Sequence, residues 1–371
     1  MAENLESVLS ALAKVNDPEI GLPITDLNMV GDIELSAENL KVEIKLTVAH
    51  CPMQAEIEEA VRSALQAEFS EKKIQVVIAV MTKTELDELK LKLRGKEKTN
   101  PFGENSATRV ILVGSGKGGV GKSTVTVNLA VGLARLGFQV GLVDADIFGF
   151  SVPRLMGITT KPTRIDDMMM PPIAFGVKTI SIGMFLPANE PVSWRGPMLH
   201  KAIEQFLTDV YWGSLDFLII DMPPGTGDVA ISIGQLLPQA KALVVTTAST
   251  AAAEVAVRSA MAARKAGHQI LGVVENMSWL IDSAGQKQFI FGSGGTQLLV
   301  DTLNEYSGEK PELLAQIPIS QNLAESTESG IPLITTEIQD DALDALTELV
   351  KLVAGTKLGP GVRELRVKLN P

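Results

Sequence analysis

The stretch Gly114-Ser-Gly-Lys-Gly-Gly-Val-Gly-Lys-Ser-Thr124 decides the fold. Within it, Gly116, Gly121, Lys122 and Ser123 stand at phosphate-loop spacing. The flanks suit such a loop: an apolar run at 110–113 precedes it and a helical pattern starts near Lys122. Glycines let the backbone curl so that successive N–H groups point at phosphate oxygens, and the helix N-terminus adds the positive end of its dipole. Lys122 has the reach for β- and γ-phosphates, Ser123 the hydroxyl for Mg2+, and Thr124 a hydroxyl for the α-phosphate. The expected nucleotide-binding set is Gly116, Lys117, Gly118, Gly119, Val120, Gly121, Lys122, Ser123 and Thr124, with ATP and Mg2+ as ligands. Slow ATP hydrolysis within a conformational cycle is the expected activity.

Downstream, apolar strand-like runs at 140–143, 179–182, 217–220, 242–246 and 270–274 alternate with helical segments such as the Ala-rich 251–266. That rhythm predicts an α/β fold, a parallel sheet with helices on both faces. In such sheets ligands sit at the carboxyl ends of the strands. Two acidic segments fall there: Asp144-Ala-Asp146 and Asp221-Met-Pro-Pro-Gly-Thr-Gly-Asp228. Asp221 fits the Walker B role, holding Mg2+ through a bound water, and Asp144 an outer magnesium role of the same kind. Asp146 is the candidate for positioning the attacking water. Pro223, Pro224, Gly225 and Gly227 make a loop suited to sensing the γ-phosphate.

Upstream, residues 1–90 read as a small α+β domain. Leu5, Val8, Leu9 and Leu12 recur at helical spacing, and Asp17-Pro18-Glu19 breaks the pattern. Residues 41–48 alternate as a half-buried strand does, 53–69 are helical, and 74–80 form a second strand. Residues 91–108, basic and rich in Gly, Asn and Ser, read as a linker, and 109–371 as the P-loop ATPase domain with a C-terminal tail.

The formal net charge of −11 argues against non-specific binding to nucleic acid or an anionic membrane. The opening MAENLESVLS has acids where a signal peptide needs basic residues, and no run of about 18 apolar residues exists to span a membrane. Cys51 is the one cysteine, so an intramolecular disulfide is impossible and a cytoplasmic location is expected. His50, His200 and His268 show no metal-ligand spacing.

The run Lys117-Gly-Gly-Val-Gly-Lys122 resembles the deviant P-loop of the dimeric ATPases that include the Min, Par and Mrp/ApbC proteins. The resemblance implies a homodimer in which Lys117 crosses to the partner's nucleotide and acts as an arginine finger does. It also implies that Asn276, in the segment Val273-Val-Glu-Asn-Met-Ser278, reads adenine with its amide. DADIFGFSVPRLMG, WRGPM, DMPPGTGDVAISIGQLLP, GVVENMS and IFGSGG look like Mrp/ApbC proteins, cytosolic iron–sulfur cluster carriers, across nearly all of 108–335. Arg195 lies in WRGPM and has no assigned role. Asp17-Pro18-Glu19 and Ala49-His-Cys51-Pro-Met53 are similar to the small domain that precedes the ATPase in many Mrp proteins and occurs in iron–sulfur assembly factors.

The chain departs from the family pattern at one place. Cluster-binding carriers have a C-x-x-C between the ENMS and IFG segments, and residues 278–292 hold no cysteine. Cys51 is therefore the candidate partial iron–sulfur ligand. A nearby helix N-terminus would favour its thiolate, while the alternative is a small buried core residue. Two readings follow. One is an ATP-dependent iron–sulfur cluster carrier with atypical ligands, whose partners are apoproteins or assembly factors. The other is a nucleotide-switched dimeric scaffold without a cluster. A Min- or Par-like positioning ATPase would need a membrane helix or DNA surface. The basic tail 356–371, interrupted by Gly-Pro-Gly, offers little of either.

Overall fold

The computed structural model describes residues 2–48, 51, 53–94, 100–147, 149–186, 196–225, 228–307 and 311–355. His50, Arg195, Gly227 and the tail 356–371 lie outside them. Helix α1 (Ala2–Leu12) leads to strands β1 (Val30–Leu35) and β2 (Asn39–Leu46), helix α2 (Gln54–Glu68), strand β3 (Lys73–Val80) and helix α3 (Lys83–Arg94). The chain continues through β4 (Arg109–Ser115), α4 (Lys122–Arg135), β5 (Val140–Asp144), α5 (Val152–Leu155), the hairpin β6 (Thr163–Ile165) and β7 (Met168–Met170), β8 (Ile173–Ala174) and β9 (Val177–Ser181). Then come α6 (Gly196–Thr208), β10 (Phe217–Asp221), α7 (Asp228–Leu236), β11 (Lys241–Thr246), α8 (Thr250–Lys265) and β12 (Gln269–Asn276). The hairpin β13 (Leu280–Ile281) and β14 (Lys287–Gln288), α9 (Gly295–Ser307), β15 (Leu313–Ile317), α10 (Gln321–Ser329) and α11 (Asp341–Gly355) complete it.

The chain forms two units. One comprises Met1–Thr99 with Pro162–Pro172 and Asp209–Gly213, and the other comprises the rest. In the smaller unit β1 pairs antiparallel with β2, and β2 parallel with β3 across α2. Alternate β2 residues Val42, Ile44 and Leu46 are buried, as are Ile57, Val61 and Leu65 at four-residue steps on α2. They meet Val8 and Leu12 of α1 in one core. Each such side chain contributes about 1.5–3 kcal/mol through removal from water. Ile165, Met168 and Met170 of the β6–β7 hairpin enter this same core, although they lie far away in sequence. Helix α3 extends to Arg94, so residues 91–94, read as linker, are helical. Leu89 of this helix is buried and Leu93 packs on the core, which explains why a basic-looking stretch folds.

The larger unit is built on an eight-stranded sheet in the order β15-β12-β11-β4-β10-β5-β9-β8. Every pair is parallel except β8–β9. Period-two alternation covers both faces. Leu243 and Val245 of β11 pack in a core with α4 and α11, while Ala242 and Val244 pack with α8 and α9. The expected parallel sheet with helices on both faces is what forms. Strands β10, β5 and β9 end in one row, in which Asp221, Asp144 and Ser181 are register partners in turn, with Val113 of β4 beside Asp221. The turn from β4 into α4 opens beside this row. Among the described residues, no helix is long and apolar enough to cross a membrane.

Candidate functional site

The loop between β4 and α4 shows why its glycines are glycines. A Cβ on Gly116 would lie 2.4 Å from the backbone of Val255 and Ala256 on α8. Gly121 has φ +77° and caps α4, and a Cβ there would meet the Asn276 Nδ2 at 2.2 Å. On the opposite side Gly118 and Gly119 face open space. Lys122, Ser123 and Thr124 begin α4, so their N–H groups have no intrahelical acceptor. The Ser115 hydroxyl donates to the Lys117 carbonyl at 3.0 Å, which pins the loop backbone, while the Lys117 side chain is exposed.

Lys122 is the opposite case, 6% exposed and surrounded by acid. Its ammonium lies 2.7 Å from Asp221 Oδ1 and 3.6 Å from Asp146 Oδ2. The Ser123 hydroxyl donates to Asp221 Oδ2 at 2.5 Å. The Thr126 hydroxyl lies 2.9 Å from both Asp221 Oδ1 and the Lys122 carbonyl, and its single proton serves one of them at a time. Asp146 also accepts from the Gly149 N–H at 3.1 Å. Burial pushes the Asp146 carboxyl up and nearby Lys122 opposes that shift. Asp144 is raised as well, first by burial and then by Asp221 beside it.

A cavity of about 820 Å³ opens over the loop. Gly118 to Thr124, Asp146, Pro223 and Pro224 line one part of it, and Arg154, Leu155, Leu199, Thr327 and Glu328 another. Asp144 and Asp221 are fully buried and do not line it. Asn276 is buried too, with one amide hydrogen spent on the Val120 carbonyl at 2.9 Å. Sequence reading thus named Lys122, Ser123, Asp146 and Asp221, which the fold brings together. It missed Thr126, Ser181, Arg154 and Glu328. Thr126 was findable, since it stands one turn after Lys122 and on the same face. Ser181 offers a weaker signal, a polar residue ending a buried strand. Arg154 and Glu328, an ion pair between α5 and α10, carry no local signal.

A magnesium ion suits these residues. The side-chain donors at the loop are hard oxygens, with no thiol or imidazole among those named. Among the described residues, no three His, Cys, Asp or Glu side chains converge as a metal-holding group.

Residues 106–354 match the family model described as NUBPL iron-transfer P-loop NTPase. The chain belongs to that family. Residues 5–76 match a second model, iron-sulfur cluster assembly protein, so both segments of this P-loop NTPase have recognised relatives. An iron-sulfur cluster carrier protein of Mycobacterium leprae is 46% identical over 96% of this chain and 97% of its own. A protein of the same name from Deinococcus radiodurans is 40% identical over 94% and 95%. Among solved structures, a nucleotide-binding protein in complex with ADP from Archaeoglobus fulgidus is 34% identical, covering 64% of this chain and 90% of that one with a TM-score of 0.52.

Cys51 lies in the smaller unit, half-buried against its core. Helix α2 starts just after it, and the Met53 and Gln54 backbone N–H groups do favour the thiolate. Burial outweighs them, with Glu19 and Asp17 adding negative charge, so the thiol is pushed up rather than down. Of the two alternatives, the helix N-terminus does act on the thiol, but burial of the residue acts more strongly. Asp17 accepts from the Glu19 and Ile20 N–H groups, and Glu19 accepts from Thr163 of the β6–β7 hairpin.

Proposed function

We propose that this chain is a homodimeric ATPase that binds an iron–sulfur cluster and passes it to apoproteins in the cytoplasm, hydrolysing ATP slowly as it does so. Its 46% identity along 96% of its length with an iron-sulfur cluster carrier protein carries this reading, because the likeness includes both units. The 116–124 loop holds the triphosphate through its N–H groups and Lys122, with Thr124 at the α-phosphate. The Ser123 hydroxyl would hold Mg2+, with Asp221 acting through a water, and the ion would supply charge neutralisation at the phosphates. Asp146, at the cavity wall beside Lys122, orients the attacking water. Lys117, exposed on a pinned backbone, reaches the partner protomer's nucleotide. The remaining amide donor and carbonyl of Asn276 serve adenine. Cys51 gives one thiolate per protomer, so a dimer offers two of the four ligands a usual cluster takes and the client supplies others.

Anaerobic reconstitution with iron and sulfide, then transfer to an apo-acceptor with and without MgATP, tests this. Wild type is expected to transfer a cluster and Cys51→Ala to transfer less. No transfer by either protein, with an acceptor present, rejects the carrier reading. A second reading, a nucleotide-switched scaffold without cargo, is favoured by the β13–β14 hairpin. That segment has no thiol and exposes Ile281, Phe289, Ile290 and Phe291.

A further inference from the structure

We propose that Asp144 is a positioning residue, which holds the 145–152 segment, and with it Asp146, against the corner at 181–183 and takes no part in holding magnesium. This rests on the ATP reading of the site above. Asp144 is fully buried off the cavity wall, as Asp221 is, but Asp221 accepts from the Ser123 hydroxyl that the magnesium role needs, whereas Asp144 accepts from the Asp146 and Val152 N–H groups and from Ser181. Its oxygens are already engaged by this chain. Oδ1 accepts from the Asp146 N–H at 3.1 Å. Oδ2 accepts from the Ser181 hydroxyl at 3.0 Å and from the Val152 N–H at 3.3 Å. One carboxylate therefore ties the Asp146 and Val152 backbone N–H groups to the neighbouring strand, as side-chain oxygens close local loops elsewhere. A carboxylate has about four acceptor positions, and three are filled here by protein donors.

The corner that receives the segment is itself fixed. Ser181 is the register partner of Asp144 across β5 and β9. Its hydroxyl oxygen accepts from the Gly183 N–H at 3.1 Å, capping the short 3-10 turn Ile182–Met184. Phe150, within the tied segment, sits where a Cβ on Gly183 would lie 2.3 Å from its ring. The segment is thus seated twice, by Asp144 on Ser181 and by Phe150 on Gly183. Asp146 emerges from the first of these ties and faces Lys122 at 3.6 Å. The order of support runs from Ser181 to Asp144 to the Asp146 backbone, and only Asp146 reaches the cavity.

Asp144→Asn keeps one carbonyl oxygen and puts an NH2 donor in place of the other, so one tied end must let go. Ser181→Ala removes one hydroxyl and leaves the carboxylate. Turnover of Asp144→Asn is expected to fall about 10–100-fold, the size of effect that small misplacement of a catalytic group produces. KM for ATP and the Mg2+ concentration for half-maximal turnover should stay at wild-type values. Ser181→Ala should show the same pattern with a smaller fall. Hydrogen exchange of the 146–152 amides, measured without nucleotide, should quicken in both variants. A several-fold rise in the Mg2+ requirement would overturn the proposal in favour of a metal role, and unchanged exchange would overturn it outright. If Asp144→Asn does not fold, Ser181→Ala decides by the same two readouts. If wild type turns over no ATP, the ATP reading fails, while the exchange measurement still tests the latch.

Discussion

Two acidic corners of this molecule face different companions. In the larger unit Asp146 and Asp221 stand beside Lys122, whose ammonium is within 3.6 Å of both. In the smaller unit Asp17 and Glu19 stand beside Cys51, and burial raises both carboxyls, with Asp17 raising Glu19 further. The first corner is organised around the Lys122 cation. The second half-buries a thiol beside negative charge, and burial first, then Glu19 and Asp17, push the thiol up. A cation arriving at Cys51 would find favourable charge but would first have to displace a proton. A nucleotide arriving at Lys122 would exchange carboxylate partners for phosphate. On the proposed function, the first corner meets an anionic ligand with a cation, and the second would bind a positive one only by giving up a proton.

The sharpest way to break this contrast is to remove the cation. Lys122→Ala should weaken MgATP binding by at least about 100-fold, since contacts to charged groups are worth about 1.5–3 kcal/mol each. It should also lower the melting temperature without nucleotide, because losing one partner of a buried pair costs about 3–5 kcal/mol. Calorimetry with MgATP and a melting curve check both. Lys117→Ala should leave MgATP affinity intact and cut turnover by about 1,000-fold, the lower range for a charge supplied in trans. Wild-type turnover in that variant would refute the trans role. Asp146→Asn should retain MgATP, lower turnover about 100-fold and accumulate the ATP-bound dimer, seen by sizing in the presence of MgATP. Gly121→Ala should cost about 1–3 kcal/mol of stability from its left-handed backbone, with the Asn276 contact adding to it, read by denaturant titration.

The smallest effect tests the other corner. The thiolate is the form that alkylates, and the Cys51 thiol is pushed up. Its iodoacetamide rate should therefore rise with pH to a midpoint above that of an ordinary thiol. Glu19→Gln removes one of the charges that raise it, and should move the midpoint down. An unshifted midpoint in wild type would erase the distinction between the two corners.

Much of the phosphate corner was legible because its signals are local. Loop glycines, Lys122, Ser123 and the strand-end acids lie within short segments whose spacing carries their geometry. Ser181 and Thr126 become visible only when strands and helix are in register. The Cys51 corner stayed open between two readings for the opposite reason: its helix start is local, but the burial and the charges of Asp17 and Glu19 that push its thiol up come from elsewhere in the chain. The β6–β7 hairpin escaped notice because strands of three residues leave almost no periodicity, and its Met168 and Met170 find their core in a unit far off in sequence. The hairpin at 280–288 could be read as lacking cysteines, but not as the exposed apolar feature it forms with Phe289 to Phe291.

On the proposed function, this P-loop NTPase carries a cluster without the cysteine pair. Iron and sulfide analysis of wild-type and Cys51→Ala protein, both purified anaerobically from cells, tests it most directly. Iron and sulfide are expected on wild type, with clearly less of both on Cys51→Ala. Wild-type protein that binds MgATP yet holds neither iron nor sulfide would contradict it and leave the nucleotide-switched scaffold.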